Sequence, residues 1–575
     1  MKKACFSSIT FLLAALLIVL PALPVWSGGS SARSSNAANA AGWPTVTVGF
    51  EGHNYALDEQ EGTWPSDIFI ALREKLQIDL QFIGYPDSQQ LDLAIASGDL
   101  PDLIMIEDRT KRLALLTGNL IQPFDEFLGL APNMAASSPL RIAASRRFNS
   151  KNGDGKLYFF NAQAGIEAPG KNLWNGMAIR WDYYKELGYP AVKTEDDFLN
   201  VVAAAVARHP TTPDGKKVYG VATFSDGTLW GWWIRGALYG FVNITDNYSL
   251  GYSKTEPDKI DRIVNNFTDY DSPVWRDIVY YRKANKMGIL DPDSLIMKGD
   301  DLQQKASDGQ LVAAICQWYG GDLYNIQQGL NPNTLAQYMV LPVEGQYNWT
   351  NANNRVGWSH TYSITRNAKN IGAIMKYIDF LNTPEGARFI YCGPEGKNWN
   401  IVGGVPKLTA EVIDLEKRRG KEWTLHGSWL WDGTSFVSPA TRVSDGGPAN
   451  LWIDPALFVL NPVEKDFSDH YGVSYPSEAA LNLIKQGKAY DRSGQLQEIV
   501  TLLPTPPANI KRIDDACLDI MVKAVPRLVL ETNDAAFETL KAQVQRDLQN
   551  AGIQTSNDWW FAQERDVKNF LATVK

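Results

Sequence analysis

The sequence predicts an α/β protein of three to four domains, or of two large lobes carrying insertions, and three observations carry that reading. The chain has 575 residues, several times the roughly 150 of a typical domain. Apolar residues make up 45% and charged residues 21%, the composition of a chain that buries a core. From Thr45 onward strand and helix patterns alternate, which implies parallel pairing with right-handed crossovers. The formal charge of −9, from 55 basic and 64 acidic residues, is mild and spread over a large surface, which argues against nucleic acid as a partner. The 19 Trp, beside 23 Tyr and 22 Phe, stand out, because aromatic faces suit carbohydrate C–H surfaces and apolar ligands as well as cores.

Residues 1–42 read as a signal peptide and a small-residue linker. Lys2 and Lys3 precede an apolar run from Ile9 to Leu20, and a Ser-, Gly-, Ala- and Asn-rich stretch follows from Ser27 to Gly42, the pattern of secretion. The run falls short of the about 20 apolar residues of a comfortable membrane span, so the mature chain is expected to be soluble and exported. Val25-x-Ser27 and Ala38-x-Ala40 both fit cleavage. Cys316, Cys392 and Cys517 are too few for more than one internal disulfide and too far apart for a zinc motif, so they are expected to be buried, passive thiols.

Thr45–Val48 reads as the first strand. Ser66 is an N-cap candidate for a helix carrying Ile68, Phe69, Leu72 and Leu76 at helical spacing. Ile78, Leu80 and Phe82 then alternate as a strand. A second helix runs from Ser88 with Leu91, Ala94 and Ile95 on one face and Gly98 placed to end it. Pro101–Ile106 is a short buried strand closed by Glu107-Asp108. This β-α-β-α-β order predicts a three-layer α/β sandwich whose ligands meet the carboxyl ends of the strands, where Glu51, His53, Glu107 and Asp108 sit. Farther on, Thr194 caps a helix bearing Phe198, Val201, Val202 and Ala205, and more helices are expected at 273–287, 301–308, 369–382 and through the C-terminal third.

The most unusual stretch is Trp230-Gly-Trp-Trp-Ile-Arg-Gly236. On a helix Trp230 and Trp233 would share one face while Trp232 points elsewhere; a place in a core and a stacking platform both fit these residues. Enzyme motifs are absent: the five histidines are too dispersed for an HExxH zinc site, and there is no G-x-S-x-G elbow or complete P-loop. A glycosidase needs only two carboxylates without a local motif, so motif absence leaves it open.

The segment Leu91–Ile106, with Ser97-Gly-Asp-Leu-Pro-Asp102, and the element Gly118-Asn-Leu-Ile-Gln-Pro-Phe-Asp125 resemble the first lobe of extracellular solute-binding proteins of carbohydrate ABC importers, the maltose-binding-like family. Further landmarks follow in that family's order: Ile179-Arg-Trp-Asp182 with Leu187-Gly-Tyr-Pro190, Gly309–Trp318, Tyr362–Asn370 and Met375–Gly386. Tyr391-Cys-Gly-Pro-Glu-Gly-Lys-Asn-Trp399 resembles the long, lipoprotein-type subgroup of Gram-positive bacteria. The resemblance implies a two-lobed, periplasmic-binding-protein-like fold, each lobe a three-layer α/β sandwich, with extra C-terminal helices. Residues 43–165 plus about 352–385 would form lobe 1, and 166–351 plus about 386–575 lobe 2. The chain would cross between them near Gln163–Gly170, near Asn348–Val356 and after Asn382.

The resemblance further implies a monomer without enzymatic activity or cofactor, exported to the outer face of the cytoplasmic membrane. It would capture an oligosaccharide by closure of the lobes and deliver it to ABC permease subunits; a secreted glycoside-active enzyme and a sugar sensor or adhesion module are the alternatives. Trp230, Trp232, Trp233, Trp318, Trp358 and Trp399 are the candidate stacking residues. Glu51, Glu107, Asp108 and Asp182 are the candidate acceptors for sugar hydroxyls, with Arg180 orienting Asp182 or pairing with an acidic sugar. Two departures matter. No Cys follows the apolar run within Pro24–Gly29, where the subgroup's lipid anchor attaches, and Cys5 lies too early. The subgroup's calcium loop is reduced in His209–Lys217 to Pro213-Asp-Gly215, leaving Asn149–Gly155 as the other candidate; a hard cation needs several regularly spaced oxygens, so no metal is expected.

Overall fold

The computed structural model describes residues 42–52, 67–85, 87–166, 170–173, 175–225, 227–253, 255–256, 260–316, 319–321, 324–325, 334–348, 353–358, 360–418, 435–491 and 494–574. In the first sheet β1 (Thr45–Glu51) is followed by helix α1 (Asp67–Leu76), strand β2 (Asp79–Tyr85), helix α2 (Ser88–Ser97), strand β3 (Leu103–Ile106) and helix α3 (Arg109–Thr117). β1 lies between β2 and β3 and runs parallel to both, with Val48 opposite Phe82 and Leu103. The local code is the expected one. α1 buries Ile68, Phe69, Leu72 and Leu76; Asp87 caps α2, and Gly98 ends it at φ +73°, a backbone that favours glycine. The returning strand Thr361–Thr365 pairs antiparallel with β3 and, on its other side, with Ile121–Gln122 and Phe160–Asn161.

The second sheet repeats this plan on a smaller scale. Met177–Arg180 runs antiparallel between Ala313–Ala314 and Tyr338–Leu341. Parallel bridges from Tyr219 to Leu311 and from Val221 to Leu290 extend it. Its core takes Phe198, Val201, Val202 and Ala205 from the helix Glu195–Arg208, whose N-terminus Thr194 and Asp197 close as a reciprocal capping box. The C-terminal helix Ala508–Leu530 lays Cys517, Met521, Ala524, Val525 and Leu528 into the same core.

A third core forms around an antiparallel meander of Phe241–Thr245, Tyr248–Tyr252 and Ile260–Asn265. It collects Ala144, Tyr248, Val356, Ile499, Val500, Trp560 and Val567, and so draws on helices 139–148, 494–502 and 553–573. The Tyr248 hydroxyl donates to Ser556 Oγ at 2.7 Å, Trp560 Nε1 donates to Asp514 Oδ2 at 3.1 Å, and Asn247 Nδ2 donates to the Asp514 carbonyl at 2.9 Å. This network ties the meander to the helices of the second core.

Two crossover segments pair with one another: Gly165–Ile166 lies antiparallel to Asn353–Asn354. A third segment, Ser435–Ser438, runs beside them, with Gln163 N donating to the Ser435 carbonyl and Ser438 N to the Ala164 carbonyl. The described residues between Pro384 and Leu451 pack on the first core and a satellite of it. Phe389, Ile390 and Phe436 enter the first core, while Tyr391, Trp399, Leu408, Val412 and Leu451 form the satellite. Among the described residues the chain rejoins the second core at the helix Pro462–Tyr471, where Phe467 meets Trp181 at 4.9 Å between ring centroids. Cys316, Cys392 and Cys517 are all buried. Among the described residues no helix is long and apolar enough to cross a membrane.

Glu498, fully buried, holds the second crossover segment: it accepts from Arg355 N at 2.6 Å, Nε at 2.9 Å and Nη2 at 2.8 Å. A hydrogen bond to a charged group contributes about 1.5–3 kcal/mol net of its exchange with water, and without Glu498 the partly exposed Arg355 regains part of its bonding from solvent. Glu498→Ala is therefore expected to lower stability by about 2–3 kcal/mol, read as a reduced denaturant midpoint at unchanged m-value.

Candidate functional site

Strand register decides which residues share an edge. In the first sheet the parallel strands β1, β2 and β3 end together at Glu51, Tyr85 and Ile106, and the returning strand begins there, with Thr361 opposite both Ile106 and Asn161. The crossover segments leave from this same end. In the second sheet Leu341 lies opposite Met177, at the end where the crossover segments arrive. The segments following Val221 and Ala314 emerge at that end too, because Ala314 lies opposite Ala178 and the chain then runs past Met177. Each sheet thus turns one loop-bearing edge towards the crossovers.

On the first edge Glu51 is an organiser. Its Oε2 accepts from Glu107 N at 2.6 Å and Asp108 N at 2.9 Å, and its Oε1 lies 3.1 Å from Lys111 Nζ. Asp108 caps α3 through Lys111 N at 2.8 Å. Beneath them the buried Arg112 guanidinium is pulled down to about 10 by burial, against the opposing pull of Asp108, Glu51 and Glu107. These bonds fix the loop that presents Glu107, whose Oε1 is 3.1 Å from His360 Nε2. Trp358 is half-buried beside them, anchored by its N–H on the Ala162 carbonyl at 2.9 Å. The preceding Gly357 has φ +82°, and a Cβ there would lie 2.4 Å from the Ala162 oxygen, so the close approach of these strands requires glycine.

On the second edge Trp230 is half-buried and meets Tyr319 at 4.9 Å and Phe224 at 5.2 Å between ring centroids, both edge-to-face. Phe224 and Tyr319 are 5.1 Å apart. A Cβ at Gly231 would lie 2.9 Å from the Phe224 carbonyl oxygen, which is how the Trp230 backbone comes down onto Phe224. Phe224, Tyr319 and His360 are site neighbours that sequence reasoning missed; the signal available for Tyr319 was its place directly after the Gly309–Trp318 landmark.

Other expected site residues lie elsewhere. Trp232 is core: it is 1% exposed and set edge-on to Tyr281 at 5.2 Å. Trp399 is a plug in the satellite of the first core, donating to the Gly393 carbonyl at 3.0 Å with the Arg388 guanidinium 4.9 Å from its ring. Arg180 lies opposite Tyr338, at the end of the second sheet away from the crossovers. There it is buried between the Tyr183 and Tyr324 rings and paired with Asp182 through bonds of 2.9 and 2.6 Å. Arg180 and Asp182 therefore satisfy one another at the far edge. Trp318, the Trp233 side chain and His53 lie outside the described residues.

Among the described residues no cluster of three or more His, Cys, Asp or Glu is arranged to hold a metal ion. In the loop 149–155 the Asp154 carboxylate already accepts from Lys156 N at 3.0 Å and the Tyr158 hydroxyl at 2.9 Å. Asp214, in the other calcium candidate, lies 3.5 Å from Lys216 Nζ.

Residues 68–388, more than half of the chain, match the bacterial extracellular solute-binding protein family. The chain belongs to that family. A curated relative, lipoprotein LipO of Bacillus subtilis, is 20% identical over 356 residues, spanning 58% of this chain and 64% of its own length, just under two thirds. The ABC-transporter substrate-binding protein FusA of S. pneumoniae, solved in complex with kestose, matches 92% of this solute-binding protein and 100% of its own chain at 16% identity and a TM-score of 0.53. An HMO-binding, ABC-transporter-associated solute-binding protein of Bifidobacterium longum infantis matches 92% and 99% at 14% identity and a TM-score of 0.54. The alginate-binding protein AlgQ2 matches 91% and 98% at 15% identity and a TM-score of 0.54. At these identities the likeness establishes the two-lobed α/β fold.

The organising role of Glu51 is open to a direct check. In Glu51→Ala the amide protons of Glu107 and Asp108 should exchange with solvent faster by tenfold or more (about 1.4 kcal/mol of lost protection), while that of Met105, inside the sheet, keeps its protection.

Proposed function

We propose that this solute-binding protein captures an oligosaccharide between its two edges and hands it to the membrane permease of an ABC importer. The observation that carries the reading is the pairing of unlike chemistries across the crossovers: a carboxylate-rich edge with one tryptophan on the first lobe, and an aromatic edge on the second. A sugar ring offers C–H faces that stack on an indole and hydroxyls that donate to carboxylates, so a ligand held by both edges gains contacts only when the lobes are together. Closure then follows from differential affinity for the closed state. Trp230, Trp358 and Glu107 are assigned to the ligand, with Tyr319, Phe224 and His360 supporting them. Trp318 joins the assignment by its chain position between Cys316 and Tyr319. Glu51 and Asp108 shape the edge.

Family membership and the likeness to a curated lipoprotein support an exported, cell-surface protein. We assign residues 43–165 and about 353–452 to lobe 1 and residues 166–352 and about 453–575 to lobe 2, on the packing of Phe389, Ile390 and Phe436 in the first core. The protein acts as a monomer, and capture and transfer break no covalent bond, so no catalytic residue is assigned.

A panel of plant and microbial oligosaccharides tested by thermal unfolding checks the proposal. A ligand present at 100 times its Kd stabilises the native state by about 2.7 kcal/mol. The expected result is at least one stabilising oligosaccharide recovered intact, with Trp230→Ala weakening it by tenfold or more, the loss of an aromatic anchor being worth over about 1.4 kcal/mol. Recovery of shortened products would identify a glycoside-active enzyme instead.

A further inference from the structure

Two residues beyond Glu107, the chain places an arginine whose partners all belong to other parts of the fold. Arg109 opens helix α3, and its Nη1 donates to the Ile244 carbonyl at 2.9 Å while its Nη2 donates to the Val500 carbonyl. The contact is reciprocal, since Thr505 Oγ1 donates to the Arg109 carbonyl at 2.9 Å.

Both acceptors are built for a cation. Ile244 sits where the register between Phe241–Thr245 and Tyr248–Tyr252 slips, Asn243 facing Ser249 and Thr245 facing Tyr248; the extra residue of such a bulge is left out of the ladder. Val500 belongs to the last turn of the helix Gly494–Leu502, where the carbonyls carry the negative end of the dipole; its own accepts from Leu503 N at 3.3 Å and has a second lone pair for the guanidinium. The guanidinium meets two carbonyl dipoles, and its Nε is buried without a hydrogen-bond partner. Burial first, and then the neighbouring Arg112, pull its pKa down to about 9, with Asp108 opposing. A charge held this way is costly to bury, so its position is sensitive to any change in where the carbonyls stand.

The two sides of this contact are anchored to different lobes. Arg109 follows directly on the loop that Glu51 clamps at Glu107 and Asp108. Ile244 belongs to the meander that Tyr248 and Asn247 tie to Ser556 and Asp514, and so to the helices of the second core. We infer that Arg109 is a positioning residue that pins the ligand-bearing edge of the first lobe to the meander and C-terminal helices, and so sets the angle between the lobes. Its bearing on ligand capture rests on the proposed function; its control of the interlobe angle does not. A ligand drawing on Glu107 pulls on the same short loop, which couples occupancy of the edge to the interlobe contact.

The test is an interlobe distance measured without any ligand. Cys316, Cys392 and Cys517 are buried, so in a Cys5→Ser background spin labels can be placed on Leu93→Cys, in α2 and 71% exposed, and Ile296→Cys, in the second lobe and 80% exposed. Pulsed dipolar spectroscopy should give one narrow distance distribution for the otherwise unaltered chain. Arg109→Met, which keeps the stem and removes the fork, should broaden the distribution and shift its mean, with cooperative unfolding retained. Arg109→Lys, able to reach one carbonyl at a time, should fall between the two. Distributions of Arg109→Met that superimpose on those of the parent would overturn the assignment. Were the methionine variant unable to fold, the lysine variant decides by the same comparison. Failure to find a binding oligosaccharide would sink the proposed function and leave this result standing.

Discussion

Two residue pairs, Ile166 with Asn353 and Gly165 with Asn354, join the lobes, and the rest of the structure depends on that ribbon being held. A two-stranded ribbon of this length is not stable in water by itself. It is held because its surroundings supply what it lacks. Glu498 takes three donors from Arg355, and Arg141, itself buried, donates to the carbonyls of Asn161 and Phe436 at 2.8 and 3.0 Å on the other side. The third core closes over the outside. The C-terminal helices take part in this junction: Trp560, Val567 and Phe570 bring the end of the chain back onto helix 139–148 of the first lobe, where Phe148 meets Phe570 at 5.2 Å.

With the ribbon in place, strand direction does the remaining work. Each sheet combines parallel strands with an antiparallel one attached to a crossover, so the carboxyl ends of the former and the beginning of the latter share one edge. That rule brings Glu107 and Trp358 together on one lobe although 251 residues separate them in sequence. It gathers Phe224, Trp230 and Tyr319 on the other, and it sends Arg180 and Asp182 to the far edge. Glu51 and Arg109 flank the first edge from two sides, one fixing the loop from within the lobe and the other fastening it outward.

Local order was readable from the sequence wherever the signal is local. Periodicity located α1, α2 and the helix Glu195–Arg208, Gly98 and Thr194 marked a cap of each of the latter two, and the alternation of strands and helices from Thr45 to Ile106 located the first sheet. The ordered motifs identified the family. The pattern did not tell which tryptophans face outward, because burial of Trp232 and Trp399 is decided by partners such as Tyr281 and Gly393, and indoles in a core and on a platform look alike in a sequence. The position of Arg180 and Asp182 opposite Tyr338, at the far end of the second sheet, was not legible because a short apolar run carries no sign of which end of a sheet it reaches. The packing of Phe389, Ile390 and Phe436 in the first core was not legible for the same reason: amphipathic patterns state that a face is buried and not against which core. Arg109 was invisible, its carbonyl partners lying 135 and 391 residues away.

The central claim is that ligand is held jointly by the aromatic edge of one lobe and the carboxylate edge of the other. Its most direct test is a crystal structure of the protein grown with an oligosaccharide that stabilises it. A sugar ring on the Trp230 indole with a hydroxyl donating to Glu107 is the result expected. A sugar bound at the far edge beside Arg180 and Asp182, or on a single lobe with the other edge in solvent, would contradict it.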